Sequence, residues 1–452
     1  MANHNVDRRR FLKSSGGVVL GALGFPSIAS AAALGKGLKP SPSNRITIGF
    51  IGVGNRGMSN MNRVLSKTDA QIVGVCDVDA RHRKRAKAKV DSTYGNSDCQ
   101  TYDDFRKLIS RSDIDAIYSS LPDHWLSIVG VHAAAQGKHI YSEKPLAYSI
   151  AEGRAICEAV DRYNIVWQTG SQQRSDKKFR TAAELVRNGR IGKVNVVRVV
   201  LPSGILNGRT VDTSLAEVPD GFDYNMWLGP APRAPYSPGR CHREYRWISD
   251  YAHGQISDWS GHHCDIAQWA MGTERTGPVE VKGHGVRADG DGGLYNTFVR
   301  YHFECKFPQG FTMIVTDASE AVREKDGIEL PGSFLDAKLG VLFEGTDGWI
   351  HVNRSGLTAY PESILDEPIG KDGIHLYESN DHDQNFLDCV KTGRQTAAPA
   401  EVAHRSNSIG YLGIIAMELG RKLQWNPQKE QFIDDSMANR LLSRPMRSPW
   451  RL

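Results

Sequence analysis

At 452 residues, with 40% hydrophobic and 24% charged side chains, the chain is long enough for two domains or more and ordinary for a soluble globular protein. Its net charge of +5 comes from scattered Lys and Arg, with one run from Arg81 to Lys89 that reads as a solvated helix face, so no nucleic-acid partner is expected. Seven cysteines, an odd number without a C-x-x-C pair, argue against a zinc finger or disulfide scaffold and for buried free thiols, Cys76 in a core strand and Cys157 and Cys389 on helices.

The N-terminus reads DRRRFLK from Asp7 to Lys13, then a weakly apolar stretch from Gly16 to Ile28, then the A-x-A sites Ala29–Ala31 and Ala31–Ala33. That is the pattern of a secretory signal over residues 1–33, and Arg8-Arg9 followed by Phe11-Leu12-Lys13 resembles a twin-arginine (Tat) signal. The glycines and Pro26 make this stretch a poor membrane span, although an uncleaved anchor is the alternative. The expected location is the periplasm, with the Tat export machinery as a partner. Residues 34–44 follow as a Pro/Gly/Ser linker.

From Arg45 the sequence RITIGFIGVGNRG gives an apolar, β-branched run and then Gly52, Gly54 and Gly57 in a G-x-G-x-x-G array. The first glycine permits a tight turn, the second lets backbone approach a pyrophosphate, and the third lets helix pack on strand. Asn55 and Arg56 lie inside the same loop and are assigned with it to the cofactor. A second apolar run, Gln71 to Cys76, ends in Asp77, where an acid binds the ribose hydroxyls and repels a 2′-phosphate, so NAD is favoured over NADP. The rival reading is a glycine-tolerant structural turn with a surface Asp.

Helix and strand patterns then alternate. Arg81 to Val90 and Tyr102 to Ile109 read as helices, Ile114 to Tyr118 as a strand ending at PDHW (Pro122 to Trp125), Ile128 to Gln136 as a helix, and His139 to Tyr141 as a strand ending at Ser142-Glu143-Lys144-Pro145. Repeated βα units mean a parallel, doubly wound sheet, expected over residues 45–167, with ligands beyond the strands' carboxyl ends. Pro122, His124, Glu143 and Lys144 therefore border the cofactor, and Gln172, just past the last unit, joins them. A lysine beside a cationic nicotinamide would have a depressed pKa and could assist proton transfer from a hydroxyl.

GVGNRG, CDVD, PDHW and EKP in this order resemble the signature of the Gfo/Idh/MocA oxidoreductase family, over nearly all of the mature chain. The resemblance implies a Rossmann domain followed by an α+β domain with a large, mostly antiparallel open sheet. It places Lys144 between nicotinamide and substrate, gives Glu143 a part in holding the cofactor, and suggests a cis Lys144–Pro145 bond. Relatives often read PDHWH where this chain has Leu126, so no histidine role is carried over there.

The second domain is expected over residues 168–425, with a helix from Phe179 to Asn188 and strand-like runs at Val194–Leu201, Val279–Val286, Thr297–Phe307 and Phe311–Thr316. If DWSGHHCDIAQW is helical, Asp258, His262 and Asp265 share one polar face that does not suit a core. The spacing matches the family's D-x-x-x-H pair, so His262 is assigned as general acid or base, and Asp258 as the group that orients substrate or stabilises charge on His262. An N-cap role for Asp258 and a metal at His262-His263-x-Asp265 are the rivals; adjacent histidines face different ways on a helix, so no metal is expected. His263 is a further candidate for the sugar pocket. The aromatic and arginine-rich stretch Tyr224 to Trp247 suits either a carbohydrate pocket or loop packing between domains.

Asp383 to Lys391 and Ala403 to Leu423 read as amphipathic helices, the latter closely packed at Gly410, Gly413 and Gly420, and 426–452 as an ordered arm. The leading expectation is an NAD-dependent oxidoreductase acting on a sugar, cyclic polyol or glycoside, assembled as a homodimer or homotetramer. Tat signals carry folded proteins, so a tightly held NAD loaded before export fits the periplasm. The rival enzyme cleaves glycosides without net redox change, through a transient keto-sugar; a third reading is a non-catalytic sugar-binding protein.

Overall fold

The structure, a computed structural model, describes residues 44–204, 211–288, 293–319 and 339–452. The expected leader at 1–33, and the linker at 34–44 except its last residue, lie outside them.

In chain order, β1 (Ile46–Ile51) leads to α1 (Asn55–Leu65), β2 (Ala70–Cys76) to α2 (Ala80–Tyr94), and β3 (Gln100–Tyr102) to α3 (Phe105–Ile109). Next come β4 (Ala116–Ser119), α4 (Asp123–Ala135), β5 (His139–Ser142), α5 (Ile150–Tyr163) and β6 (Trp167–Thr169). The six strands pair in parallel in the order β3-β2-β1-β4-β5-β6. Helices cover both faces, which is why β1 and β4 are buried almost throughout and read as continuous apolar runs rather than alternating ones. The order reverses between β1 and β4, where such sheets open a crevice beyond the strand ends. Gly52 follows β1, Pro122 follows β4 and Glu143-Lys144 follow β5, so the three expected loops meet at one edge.

Two local expectations shift. Tyr102 ends an edge strand instead of starting a helix, because β3 is short and polar and carries no period to read. Helix α4 begins at Asp123 and not at Ile128, so His124 and Trp125 lie on its first turn.

The second half holds α6 (Lys177–Arg187), β7 (Val194–Leu201), α7 (Tyr224–Leu228) and α8 (Gly254–Met271). The strands β8 (Glu280–Arg287), β9 (Phe298–Lys306), β10 (Thr312–Asp317), β11 (Gly340–Gly345), β12 (Trp349–Val352) and β13 (Leu357–Tyr360) follow. The chain closes with α9 (His382–Thr392), α10 (Ala400–Leu419), β14 (Leu423–Asn426), β15 (Gln431–Phe432) and α11 (Ser436–Arg440). Strands β7 to β15 form a nine-stranded sheet in which β7 and β10 pair in parallel and the other pairs are antiparallel. Helices α6, α8 and α10 pack on one face. The opposite face is polar, with Lys282 paired to Glu304 and Arg198 to Glu344.

Helix α10 is a correction to the amphipathic expectation. It is buried nearly all round from Ala400 to Met417, because α5, α8 and the sheet each take one side of it. Its glycines follow from that packing: a Cβ on Gly413 would stand 2.6 Å from the Phe303 ring, and one on Gly410 2.7 Å from Ser260 Oγ. The C-terminal arm is tied back through Glu430, which accepts from His404 Nε2 at 2.8 Å and Arg154 Nη2 at 2.7 Å. Replacing Gly413 by Ala is expected to cost about 1–3 kcal/mol through overpacking against Phe303. An unchanged urea midpoint would show that α10 is not seated this closely.

Candidate active site

The glycine loop separates what the fold needs from what a ligand needs. Gly52 has φ +78°, and a Cβ there would meet Ser120 O at 2.4 Å; a Cβ on Gly57 would meet Gly52 O at 2.0 Å. Both glycines are required by the chain's own backbone. A Cβ on Gly54 would meet nothing nearer than the His82 ring at 3.6 Å, an ordinary contact, so the space above it is free for a partner from outside. Gly54 is also the N-cap of α1 and no side chain caps it, which leaves the first N–H groups of the helix available to an anion.

Asp77 shapes the same loop. Its carboxylate accepts from Val53 N–H at 2.8 Å and Asp79 N–H at 2.9 Å, and lies 3.3 Å from His82 Nδ1. The hydrogen bond to Asp77 raises the His82 pKa above its ordinary value despite burial. Asp79, His82 and His242 converge nearby, but Arg81 already holds both Asp79 oxygens, at 3.2 and 2.8 Å.

Beyond β5, Glu143 Oε1 accepts from Arg56 Nε at 2.8 Å, Asn60 Nδ2 at 2.9 Å and Gln172 Nε2 at 3.2 Å. Arg56, assigned with its loop to the cofactor, is directed at the Glu143 carboxylate. Glu143 Oε2 is buried and has no partner, and Gly170 leaves it room, since a Cβ there would approach to 2.8 Å. An orphaned buried oxygen, an open glycine and an uncapped helix start together fit a dinucleotide, with Glu143 at its reactive end.

Lys144, joined to Pro145 by a cis bond, donates through Nζ to Asp258 Oδ1 on α8. Burial raises the Asp258 pKa, but the Lys144 and Arg246 charges outweigh it and hold the carboxyl below its ordinary value. His262, one turn on, is buried with Nδ1 unpartnered; burial, then Lys144 and Arg354, push its pKa well below the ordinary value. It is a neutral imidazole at neutral pH and in that form accepts a proton. This corrects the expectation of a near-neutral titration and of Asp258 as the partner of His262: among the described residues, Asp258 bonds Lys144. Nor is Asp258 an N-cap, because α8 starts at Gly254 with His253 in the cap position.

Two further expectations are corrected. Asp265 shares the sequence face of Asp258 but is 2% exposed and held by Arg174 at 2.6 and 2.9 Å, with Ser406 at 2.7 Å, which makes it a core ion pair. His124 is not at the cofactor edge: its Nε2 lies 3.0 Å from Trp227 O, and its ring packs against Trp227 and Tyr251. Pro122 stands as the N-cap residue of α4, Asn55 is exposed at the start of α1, and His263 is buried 3.3 Å from Gln173. Of the stretch from Tyr224 to Trp247, Tyr224, Trp227 and Trp247 form a buried aromatic cluster, which is loop packing.

Residues 46–171 match the description "Oxidoreductase family, NAD-binding Rossmann fold" and residues 203–452 match "Oxidoreductase family, C-terminal alpha/beta domain" of the Gfo/Idh/MocA set. The chain belongs to the Gfo/Idh/MocA oxidoreductase family. Among curated relatives, a "Glycosyl hydrolase family 109 protein" from Shewanella putrefaciens is 31% identical over 175 residues, 35% of this chain and 38% of that protein. An "Alpha-N-acetylgalactosaminidase" from Shewanella oneidensis is 29% identical over 177 residues, with the same coverages. The matches thus span little more than a third of these relatives. Two solved structures share the fold: an aldose-aldose oxidoreductase from Caulobacter crescentus (TM-score 0.59, 16% identity, 84% of this chain and 99% of that one) and a myo-inositol 2-dehydrogenase from Lactobacillus plantarum (TM-score 0.56, 17% identity, 84% and 99%).

In this Gfo/Idh/MocA chain, sequence reasoning missed Asn60, which has no motif signal, and Asp123, which lies inside PDHW and was open to notice. Asp123 is 4% exposed and accepts from Tyr245 O–H at 3.1 Å and Ser257 O–H at 3.2 Å. Burial, then the charge of Asp258, push its pKa up to about 7. A carboxyl raised in the folded state contributes stability that is full below about pH 4 and is lost as pH rises through about 7. Asp123→Asn is therefore expected to gain melting temperature over wild type at about pH 8 and little at about pH 5; an equal offset in both buffers would sink this account. At the glycine loop, Gly54→Ala is expected to keep the melting temperature and lose about 10-fold or more in dinucleotide affinity, while Gly57→Ala loses stability. Equal behaviour of the two variants in thermal melts and NAD titration would contradict that division of roles.

Proposed function

We propose that the protein is an exported oxidoreductase that uses NAD to oxidise or reduce a carbinol carbon of a sugar, cyclic polyol or glycoside. What supports this reading is the Lys144–Asp258 hydrogen bond with His262 one turn on, in a chain where Glu143, next to Lys144, keeps a buried oxygen without a partner among the described residues. NAD, when bound, supplies the acceptor or donor of hydride. The chain's own residues handle the proton. Neutral His262 takes it from the substrate hydroxyl, and Lys144, oriented by Asp258, donates a hydrogen bond to the same oxygen and stabilises charge developing there. Asp77 supports NAD over NADP, because a second anion beside it would be repelled. A periplasmic location favours a cofactor that stays bound and a second substrate that returns the hydride. Self-association through the polar open face of the nine-stranded sheet is the corresponding proposal for assembly.

A second reading is favoured by the relatives named as glycosyl hydrolases: oxidation two carbons from the glycosidic carbon acidifies the C–H between them, the aglycone leaves by elimination across that bond, water adds to the resulting enone, and re-reduction of the carbonyl restores the sugar. Incubation with free sugars and aryl glycosides separates the two. Net NADH absorbance supports the first, and aglycone release without net NADH the second. Under either, Lys144→Ala is expected to lower turnover by about 100-fold or more. Unchanged turnover would remove Lys144 from the chemistry.

A further inference from the structure

Four cations lie around Asp258, and two of them have an ion pair among the described residues. Lys144 is paired with Asp258, and Arg56 with Glu143. Arg246 and Arg354 remain. Arg246, on the turn before α8, influences both Asp258 and Asp123, yet its Nε is buried without a hydrogen-bond partner, and its recorded contact is with the Tyr245 ring at 6.0 Å. Arg354 follows β12 in a turn fixed by Asn353 Oδ1, which accepts from Ser355 N–H at 2.8 Å and Gly356 N–H at 2.9 Å. Its guanidinium lies 4.4 Å over the ring of Trp259, which itself packs against His262 and His263. Neither arginine has an ion pair among the described residues.

The two arginines differ in their surroundings: burial works against the Arg246 charge, but the Asp258, Tyr245, Asp123 and Glu244 charges outweigh it and raise the Arg246 pKa. Arg354 is the less favoured cation, since burial and then Arg56 lower its pKa. Of the carboxyls acting on Arg246, Asp258 is paired with Lys144, and Asp123 has its pKa pushed up to about 7 by burial and then by Asp258. Two guanidiniums that both act on Asp258 without an ion pair of their own among the described residues, one with a buried unpaired donor, are the complement of an anion with two or more oxygens.

We propose that the substrate sugar carries an anionic substituent, a carboxylate or a sulfate ester, bound by Arg246 and Arg354 next to Asp258 and His262. This rests on the proposed reading of the site as a sugar pocket, and deepens it by naming the substrate class. Charge-assisted hydrogen bonds of this kind favour the acidic over the neutral sugar by about 10- to 100-fold.

The test is calorimetric titration of the NAD-loaded protein with galactose, galacturonate and a sulfated galactose. Tighter binding of one acidic sugar by about 10-fold or more supports the proposal, and which acid binds distinguishes carboxylate from sulfate. Arg354→Gln and Arg246→Gln are each expected to abolish that preference while NAD affinity is retained, which also reports that the variant is folded. Arg354 is exposed, so it keeps the test decisive where Arg246→Gln fails to fold. Equal binding of acidic and neutral sugars, no binding of any, or a preference unaffected by Arg354→Gln overturns the proposal, as does a loss of NAD affinity in its place. An acidic preference without hydride transfer or aglycone release would leave the anion site standing and remove the proposed reaction instead.

Discussion

The Lys144–Asp258 ion pair joins the loop beyond β5 to helix α8, and so joins the parallel sheet to the second domain at the point where chemistry is expected. Taking two charges partly out of water costs several kcal/mol per ion unless geometry and neighbours compensate. Here the compensation comes from Arg246, which adds to the hold on Asp258, and from residual solvent contact, since the two side chains are 14% and 21% exposed. The result is a lysine oriented before any ligand arrives. Glu143, its neighbour in sequence, is fixed just as firmly by Arg56, Asn60 and Gln172, but with one oxygen left over. Two consecutive residues thus serve two ligands.

Helix α8 carries a second acid on the same sequence face, and burial alone gives it a different use. Asp265 and Arg174 are almost fully enclosed, bidentate and supplemented by Ser406, so nothing is left to react. Asp258 lies seven residues earlier in the sequence, at the helix end nearer the crevice, and keeps its solvent contact. His262 lies between them. Its Nδ1 has no hydrogen-bond partner among the described residues, and burial together with the cations nearby holds the ring neutral.

The parallel sheet and its loops were legible because their signals are local. Strand runs at Ile46–Ile51 and His139–Ser142, the glycine spacing and the acid after β2 each lie within a few residues of the feature they specify. What was not legible depends on partners far away in sequence. Arg56 turns to Glu143, His124 to Trp227, and Asp265 to Arg174, each across more than 80 positions. Helix α10 read as amphipathic because its polar residues look solvent-facing, whereas Ser406 and His404 spend their polarity on Asp265 and Glu430 inside the protein. Asp123 was missed for a related reason: its altered proton affinity comes from burial and from Asp258, neither of which has a sequence signature.

Charge is divided along the crevice in a way that follows from these placements. Near the glycine loop, Asp77 accepts from two backbone N–H groups with His82 beside it, and Glu143 accepts from Arg56 as well as from the Asn60 and Gln172 amides. On the other side, Arg246 and Arg354 act on one aspartate, and a second carboxyl, Asp123, has its pKa pushed up to about 7, first by burial and then by the charge of Asp258. Like charges so close cannot both ionise freely, and the acid that yields is the one more deeply enclosed. The use of Asp258 therefore sets the charge around it: hydrogen-bonded to Lys144 and acted on by Arg246, it raises the proton affinity of Asp123 and leaves that carboxyl less able to serve as a second counter-ion.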